Sequence, residues 1–280
     1  MATDSSLLRT SNTVITAFGV LNQFYGSIDS SYVIQRETTL NYKRNCFASL
    51  NPTTKPTVRY FGIGINGFVN TDDANSSVPY IPSPNNLDLY TPIPFRCIPV
   101  ADDVSFATER DAKGYRLRVR ETINGQQYYC YYLKKIEFVE SSPAFSVVDG
   151  DDHEIPYVID AASNLNPVPS VPTDTSIINA TTNRVIVSMT GKLTVLGTEV
   201  TEAINIKYGN LQRAMISEIG LYTGEERLLT PAANGSDVQY TEAVYAQLAS
   251  HSCWRGFDFS DSSLSLIDYR TFENGSAIML

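Results

Sequence analysis

Apolar and polar positions alternate most clearly in the stretch RLRVRETINGQQYYCYYLKKIEFVE, residues 116–140. Two β-rich runs flank Asn124-Gly125, a dipeptide suited to a two-residue hairpin turn because both positions tolerate positive φ. Such a turn sets the register. Val119 faces Cys130 and Leu117 faces Tyr132 on an apolar side. On the other side Arg120 faces Tyr129, Arg118 faces Tyr131 and Arg116 faces Leu133. Guanidinium groups stack on tyrosine rings across such a ladder. Upstream, TVRYFGIGINGF (57–68) predicts a strand passing through glycines, followed by the turn-forming stretch TDDANSSVPYIPSPNN. A loop of that length in a compact protein is usually functional or docked on something. Downstream, Arg184–Met189 and Lys192–Leu196 predict short strands around Thr190-Gly191, Val200–Tyr208 predicts a third, and ISEIGLYTGEERLL predicts a strand pair around Thr223-Gly224. The segment TEAVYAQLASHSCW is the best helix of the chain on pattern, with Thr241 as its cap and Val244, Leu248 and Cys253 on one face. SLSLIDYRTFENGSAIML supplies one or two final strands.

Many short strands, frequent turn signals and one or two short helices predict a mainly β protein with β-sandwich-like sheets, in one β domain or two. Residues 1–35, rich in Ser, Thr and Asn, form an N-terminal arm or a short helix. Residues 36–165 form a β domain with a long proline-rich loop. SNLNPVPSVPTDT (163–175) reads as a linker or layer crossing, because proline fixes extended backbone and removes donors. Residues 166–280 then form a second β-rich domain with one helix.

Composition narrows the function. A net charge of −9 over 280 residues disfavours phosphate backbones and anionic membrane as partners. The chain contains no apolar run of about eighteen residues, so no spanning helix is expected. Its first residues lack the basic and apolar regions of a secretory signal, so synthesis in a reducing cytoplasm is expected. Cys46, Cys97, Cys130 and Cys253 are then buried free thiols, and the absence of C-x-x-C excludes a zinc ribbon or thioredoxin-type motif. Seventeen tyrosines against two histidines suit strands and interfaces better than proton transfer or imidazole-rich metal sites.

Motifs with chemical meaning are few. Gly62–Gly67 matches G-x-G-x-x-G after a strand, but Phe68 leads into a polar, proline-rich loop. No helix N-terminus follows to hold a pyrophosphate, so the glycines read as close packing in a strand. Asp149-Gly150-Asp151-Asp152-His153-Glu154 is dense in carboxylates but lacks the EF-hand order and reads as a solvated turn. G-x-S-x-G, H-E-x-x-H and P-loop patterns are absent. No catalytic residue, cofactor site or metal site is therefore expected, and the chain is expected not to be an enzyme. The row Arg116, Arg118, Arg120 interleaved with Tyr129 and Tyr131 is the candidate subunit interface, since Arg and Tyr are frequent anchors of protein contacts.

Two stretches carry a resemblance. Ile216-Ser217-Glu218-Ile219-Gly220-Leu221-Tyr222-Thr223-Gly224, followed by Leu228-Leu229, resembles the E-I-G-L-[YF] segment of tail-fibre, baseplate and related virion proteins of tailed bacteriophages. The block Asn86–Val100, together with YRLRVRETINGQQYYCYYLKKIEF, is similar to virion proteins of large tailed phages. The resemblance implies a structural subunit of the neck, collar, tail or baseplate, located in the virion. Its implied partners are other virion proteins and copies of itself, in or on a homo-oligomeric ring. The alternative is a host-surface module that binds carbohydrate through aromatic loops such as Val78–Tyr90.

Overall fold

A computed structural model describes residues 11–27, 34–46, 54–55, 57–70, 77–148, 153–158, 184–211, 214–229, 239–259 and 261–274. The proline-rich stretch 163–175 and Asp149–Asp152 lie outside the described residues. The fold is mainly β, with several antiparallel sheets and few short helices, the sandwich-like class expected from the pattern. In chain order the strands are β1 (Asn12–Ile15), β2 (Thr57–Gly64), β3 (Phe68–Asn70), β4 (Ser77–Pro79), β5 (Pro92–Ile93), β6 (Arg96–Pro99), β7 (Tyr115–Ile123) and β8 (Gln126–Lys135). They continue as β9 (Glu137–Phe138), β10 (Ala144–Val148), β11 (Glu154–Pro156), β12 (Arg184–Leu196), β13 (Met215–Leu229), β14 (Tyr240–Asp258) and β15 (Ser265–Asn274). The helices are α1 (Ala17–Ser27), the single turn α2 (Leu40–Lys43), α3 (Asp103–Lys113) and α4 (Gly197–Tyr208).

The chain forms two compact units, Met1–Ile136 with Thr194–Leu266, and Glu137–Leu193 with Ile267–Leu280. The division expected at 165/166 falls outside the described residues. The first unit holds an eight-stranded sheet in the order β1-β14-β13-β2-β8-β6, with β5 on β2 and β7 on β8. The second holds a five-stranded sheet, β11-β10-β12-β15 with β9 also on β12. Within residues 1–35, β1 pairs with β14, and Thr16 starts α1 by accepting the Gly19 N–H at 3.1 Å.

The hairpin forms in the expected register except at Leu117, which does not pair with Tyr132. Asn124 and Gly125 take φ of 50° and 82°, and the pairs are Arg116/Leu133, Arg118/Tyr131, Val119/Cys130 and Arg120/Tyr129. Four local expectations are overturned. Residues 241–254 are not a helix but part of β14, a strand between β1 and β13. Its burial is nearly continuous, because α1 and α2 also pack on it. Register shifts against β13 between Leu221 and Tyr222 and between Thr223 and Glu225 break its alternation, so the spacing mimics a helix. Val200–Tyr208 is not a strand but most of α4, which buries Val200, Ala203 and Ile204 at helical spacing. Here β-branched residues masked a 3.6-residue stripe. Thr190-Gly191 and Thr223-Gly224 are not turns, and β12 and β13 run straight through them. The two halves of β12 serve different partners, β10 up to Ser188 and β9 from Gly191.

The cysteines also depart from expectation. Cys46 and Cys253 are free and buried, but Cys97 and Cys130 form a disulfide. They lie opposite each other on β6 and β8 with Cα atoms 4.2 Å apart. Strand register, which sequence spacing does not reveal, brings them together. The disulfide packs in a core with Leu40, Tyr60, Leu117, Leu133, Tyr222 and Leu248. Replacing both cysteines with serine is expected to lower stability by about 2–4 kcal/mol, read by urea unfolding without reductant. Mass spectrometry after alkylation of the unfolded wild-type chain should find two modified thiols without reductant and four with it.

Candidate functional site

The Arg/Tyr ladder is placed largely inside the first unit. Arg116 is buried, its Nη2 donating to Glu226 Oε1 at 2.7 Å and its Nη1 to the Tyr115 carbonyl at 2.9 Å. Burial works against the Glu226 charge, yet hydrogen bonds from Arg116 and Lys135 hold its carboxyl below the usual range. Arg118 ion-pairs with Asp103 at 2.5 Å and lies over the rings of Tyr240, at 3.7 Å, and Tyr129, at 4.1 Å. Tyr131 is buried and donates to the other Asp103 oxygen at 3.1 Å. Arg120 is exposed and contacts Gln127. Arg116, Arg118 and Tyr131 are consumed within the chain, leaving Arg120 and the half-buried Tyr129 at the surface. Asp103, supplied by the first turn of α3, draws Arg118 inward, and Glu226 of β13 does the same for Arg116.

Beside this row lies a buried carboxylate. Leu117 adopts φ of 55°, a conformation that a branched side chain rarely takes. The kink aims two successive N–H groups at Glu242, which accepts from Leu117 N at 2.5 Å, Arg118 N at 2.8 Å and Ala243 N at 2.8 Å. Glu242 is completely buried, and its desolvation outweighs these donors, so its carboxyl is held above the usual range.

A second completely buried carboxylate, Glu218 of β13, sits where more of the chain converges. Oε1 accepts from Asn66 N at 2.8 Å and Thr91 N at 3.2 Å, and Oε2 accepts from Tyr90 N at 2.7 Å. His251 Nε2 lies 3.1 Å from Oε2. Cys253 lies opposite Glu218 on β14, and His251, two residues earlier, shares its face. Cys253 Sγ is 3.5 Å from His251 Nε2, and Asn86 Nδ2 is 3.0 Å from His251 Nδ1. Tyr90 lies over the imidazole, with centroids 5.0 Å apart. With Asn86 donating to Nδ1, the ring carries its proton on Nε2 and gives it to Glu218. Burial, with the Glu218 charge adding, pushes the Cys253 thiol up to about 12, so a free thiolate nucleophile is not available at neutral pH.

The glycine motif joins the same assembly. Gly67 donates to Ser217 Oγ at 2.8 Å, and a Cβ there would stand 2.0 Å from the Ser217 carbonyl oxygen. G-x-G-x-x-G here serves close backbone approach, as expected, and lets Asn66 reach Glu218. The loop after it docks on its own fold. Ala17 N donates to the Pro84 carbonyl, and buried Asp88 accepts from Leu89 N and Tyr222 Oη and binds Lys43 and Arg44.

The sequence pattern assigned no site role to Glu218, His251, Cys253, Asn86 or Asp88. The available signal was His251-Ser252-Cys253 at i, i+2, which share a face only if the segment is a strand. Assigning it to a helix hid the pair. Among the described residues Glu218, His251 and Cys253 form the one grouping whose donor atoms, all within 4.8 Å of one another, fit a metal ion. No helix among the described residues is long and apolar enough to cross a membrane. Residues 1–266 match the family of unknown function DUF7208, and the chain belongs to that family. No curated protein and no solved structure matches the chain.

Glu218→Gln is expected to cost about 2–4 kcal/mol in urea unfolding, because backbone donors from two segments lose a shared anion. Gly67→Ala should cost about 1–3 kcal/mol by overpacking. Glu242 gives a pH signature. Its folded-state pKa is raised, so its contribution to stability is full below the ordinary carboxylate range and is lost as pH rises through the folded value. Subtracting the Glu242→Gln stability profile from wild type should therefore leave a difference that falls with rising pH. A difference that rises with pH contradicts the assignment.

Proposed function

We propose that this member of DUF7208 is a non-catalytic structural subunit of a tailed-phage particle, assembling by protein–protein contacts in the neck, collar, tail or baseplate region. The virion setting rests on the resemblance of Ile216–Gly224 and Asn86–Val100 to virion proteins. The observation that carries the assembly reading is the surface of the second unit. Ile155, Val185, Ile267 and Tyr269 on its strands, with Tyr157 and Val158 beside β11, are all exposed. Large apolar side chains gathered on one small sheet fit a surface that a neighbour covers. The buried ionic groups support the same reading, since Glu218, Glu242, Asp88 and Asp103 are engaged in holding backbone and side chains in place.

A second reading, a carbohydrate-binding module, draws on Val78–Tyr90. Tyr80 and Tyr90 meet edge to face at 5.8 Å, and Ile81 and Leu87 beside them are exposed. Aromatic rings of this kind form platforms for sugar faces.

Particles purified from infected cells should contain the chain at a fixed stoichiometry, at a position visible in averaged particle images. A chain that stays a cytoplasmic monomer overturns the proposal, and retention of the free chain on host envelope glycans favours the second reading. Val185→Asp with Tyr269→Asp is expected to change stability by only about 0.5 kcal/mol yet exclude the chain from particles.

A further inference from the structure

We infer that Glu218, His251 and Cys253 form a binding site for a zinc-type divalent cation, a role that goes beyond the assembly reading and does not depend on it. Tetrahedral zinc has bonds of about 2.0–2.1 Å to imidazole nitrogen, 2.3 Å to thiolate and 2.0–2.2 Å to carboxylate. Those lengths put nitrogen and sulfur ligands about 3.5 Å apart and nitrogen and oxygen ligands about 3.3 Å apart. Here Nε2 and Sγ are 3.5 Å apart, and Nε2 and Oε2 are 3.1 Å apart. The imidazole thus already stands at nearly the separation from each of the other two donors that a shared ion imposes, and all three donor atoms lie within 4.8 Å of one another. Sulfur, imidazole and carboxylate together suit a borderline ion of the zinc type, whereas magnesium and calcium take oxygen ligands.

Charge and hydrogen bonding agree with the distances. All three side chains are completely buried. A divalent ion held by one thiolate, one carboxylate and a neutral imidazole makes a site of zero net charge, the form least costly to bury. On binding, the ion forms bonds to Nε2, Sγ and Oε2. The Cys253 thiol proton leaves to solvent, and the imidazole proton moves from Nε2 to Nδ1. Glu218 Oε2 keeps its bond from Tyr90 N and gives the ion the lone pair that the Nε2 proton had used. Asn86 then turns its amide so that Oδ1 accepts from Nδ1–H, the outer hydrogen bond that a metal-bound histidine requires. The ion would join β13, β14 and the loop at 86–91 at one point.

The full-length chain, produced with zinc in the medium, should carry about one zinc per chain by elemental analysis. After chelation and reloading with cobalt(II), a thiolate-to-cobalt charge-transfer band should appear in the near ultraviolet. It should be present in wild type and in Cys46→Ser, which removes the other free thiol, and absent from Cys253→Ser. Zinc affinity of Cys253→Ser should fall by more than the roughly 10–100-fold typical of outer-shell changes. Wild type without zinc and without the cobalt band overturns the site, as does a band that survives in Cys253→Ser. The wild-type and Cys46→Ser spectra decide the matter alone should Cys253→Ser fail to fold.

Discussion

The fold of the first unit depends on one buried anion. Glu218 is the point at which β13, the turn after β2 and the loop before β5 are held together, through three main-chain N–H groups and one imidazole. A completely buried carboxylate is tolerated only when nearly every lone pair is used, and here it is. The constraint propagates outward. Asn66 reaches the anion only because Gly67 lets the chain pass against Ser217, and Tyr90 reaches it only because Asp88 has turned the preceding residues inward. The E-I-G-L-Y segment thereby acquires a physical meaning. Glu218 collects donors, Ile219 is buried, and Tyr222 donates its hydroxyl to Asp88 at 3.0 Å.

The same device recurs through the unit and explains an acidic, tyrosine-rich composition. Tyr115 donates to Glu199 at 2.5 Å and Tyr131 to Asp103 at 3.1 Å, while Tyr132 donates to Glu121. Burial first, and then the neighbouring carboxylate, holds these phenols well above their ordinary range, so they remain neutral donors. Lysine and arginine complete the groups, as Lys134 does with Glu199 at 2.9 Å. Tyrosine thus carries much of the hydrogen bonding that stabilises the buried acids, at less desolvation than a second full charge would need.

Where neighbouring residues determined the outcome, the sequence was legible. The Asn124-Gly125 turn fixed its own register, and the residues after Gly67 denied the glycine motif a helix. Where distant partners decided, it was not. The alanines of β14 have helical propensity, but β1 and β13 on either side made it a strand, and its bulges erased the alternation that would have disclosed it. Residues 200–208 are β-branched and aromatic enough to read as a strand, yet Gly209 closes a helix there by donating to the Asn205 carbonyl. The Arg/Tyr row stands on its hairpin as read, but what meets it within the chain comes from outside the hairpin. Its counter-charges come from Asp103, 15 residues before Arg118, and Glu226, 110 residues after Arg116. The grouping of Glu218, His251 and Cys253 was invisible for the same reason, being brought together by strand register alone.

The Cys97–Cys130 crosslink has a mechanical meaning. A force pulling the chain by its ends crosses directly from β6 to β8 through a covalent bond, and α3, β7 and the hairpin turn lie inside the loop it closes. The 33-residue span is therefore shielded from load, which shortens the extensible chain by about 110 Å at 3.3–3.6 Å per residue. The tether keeps the Arg118–Asp103 pair and the Leu117 kink within an unstretched segment while flanking strands give way. Under tension the oxidised chain would lengthen only outside this segment for as long as the Cys97–Cys130 bond is intact.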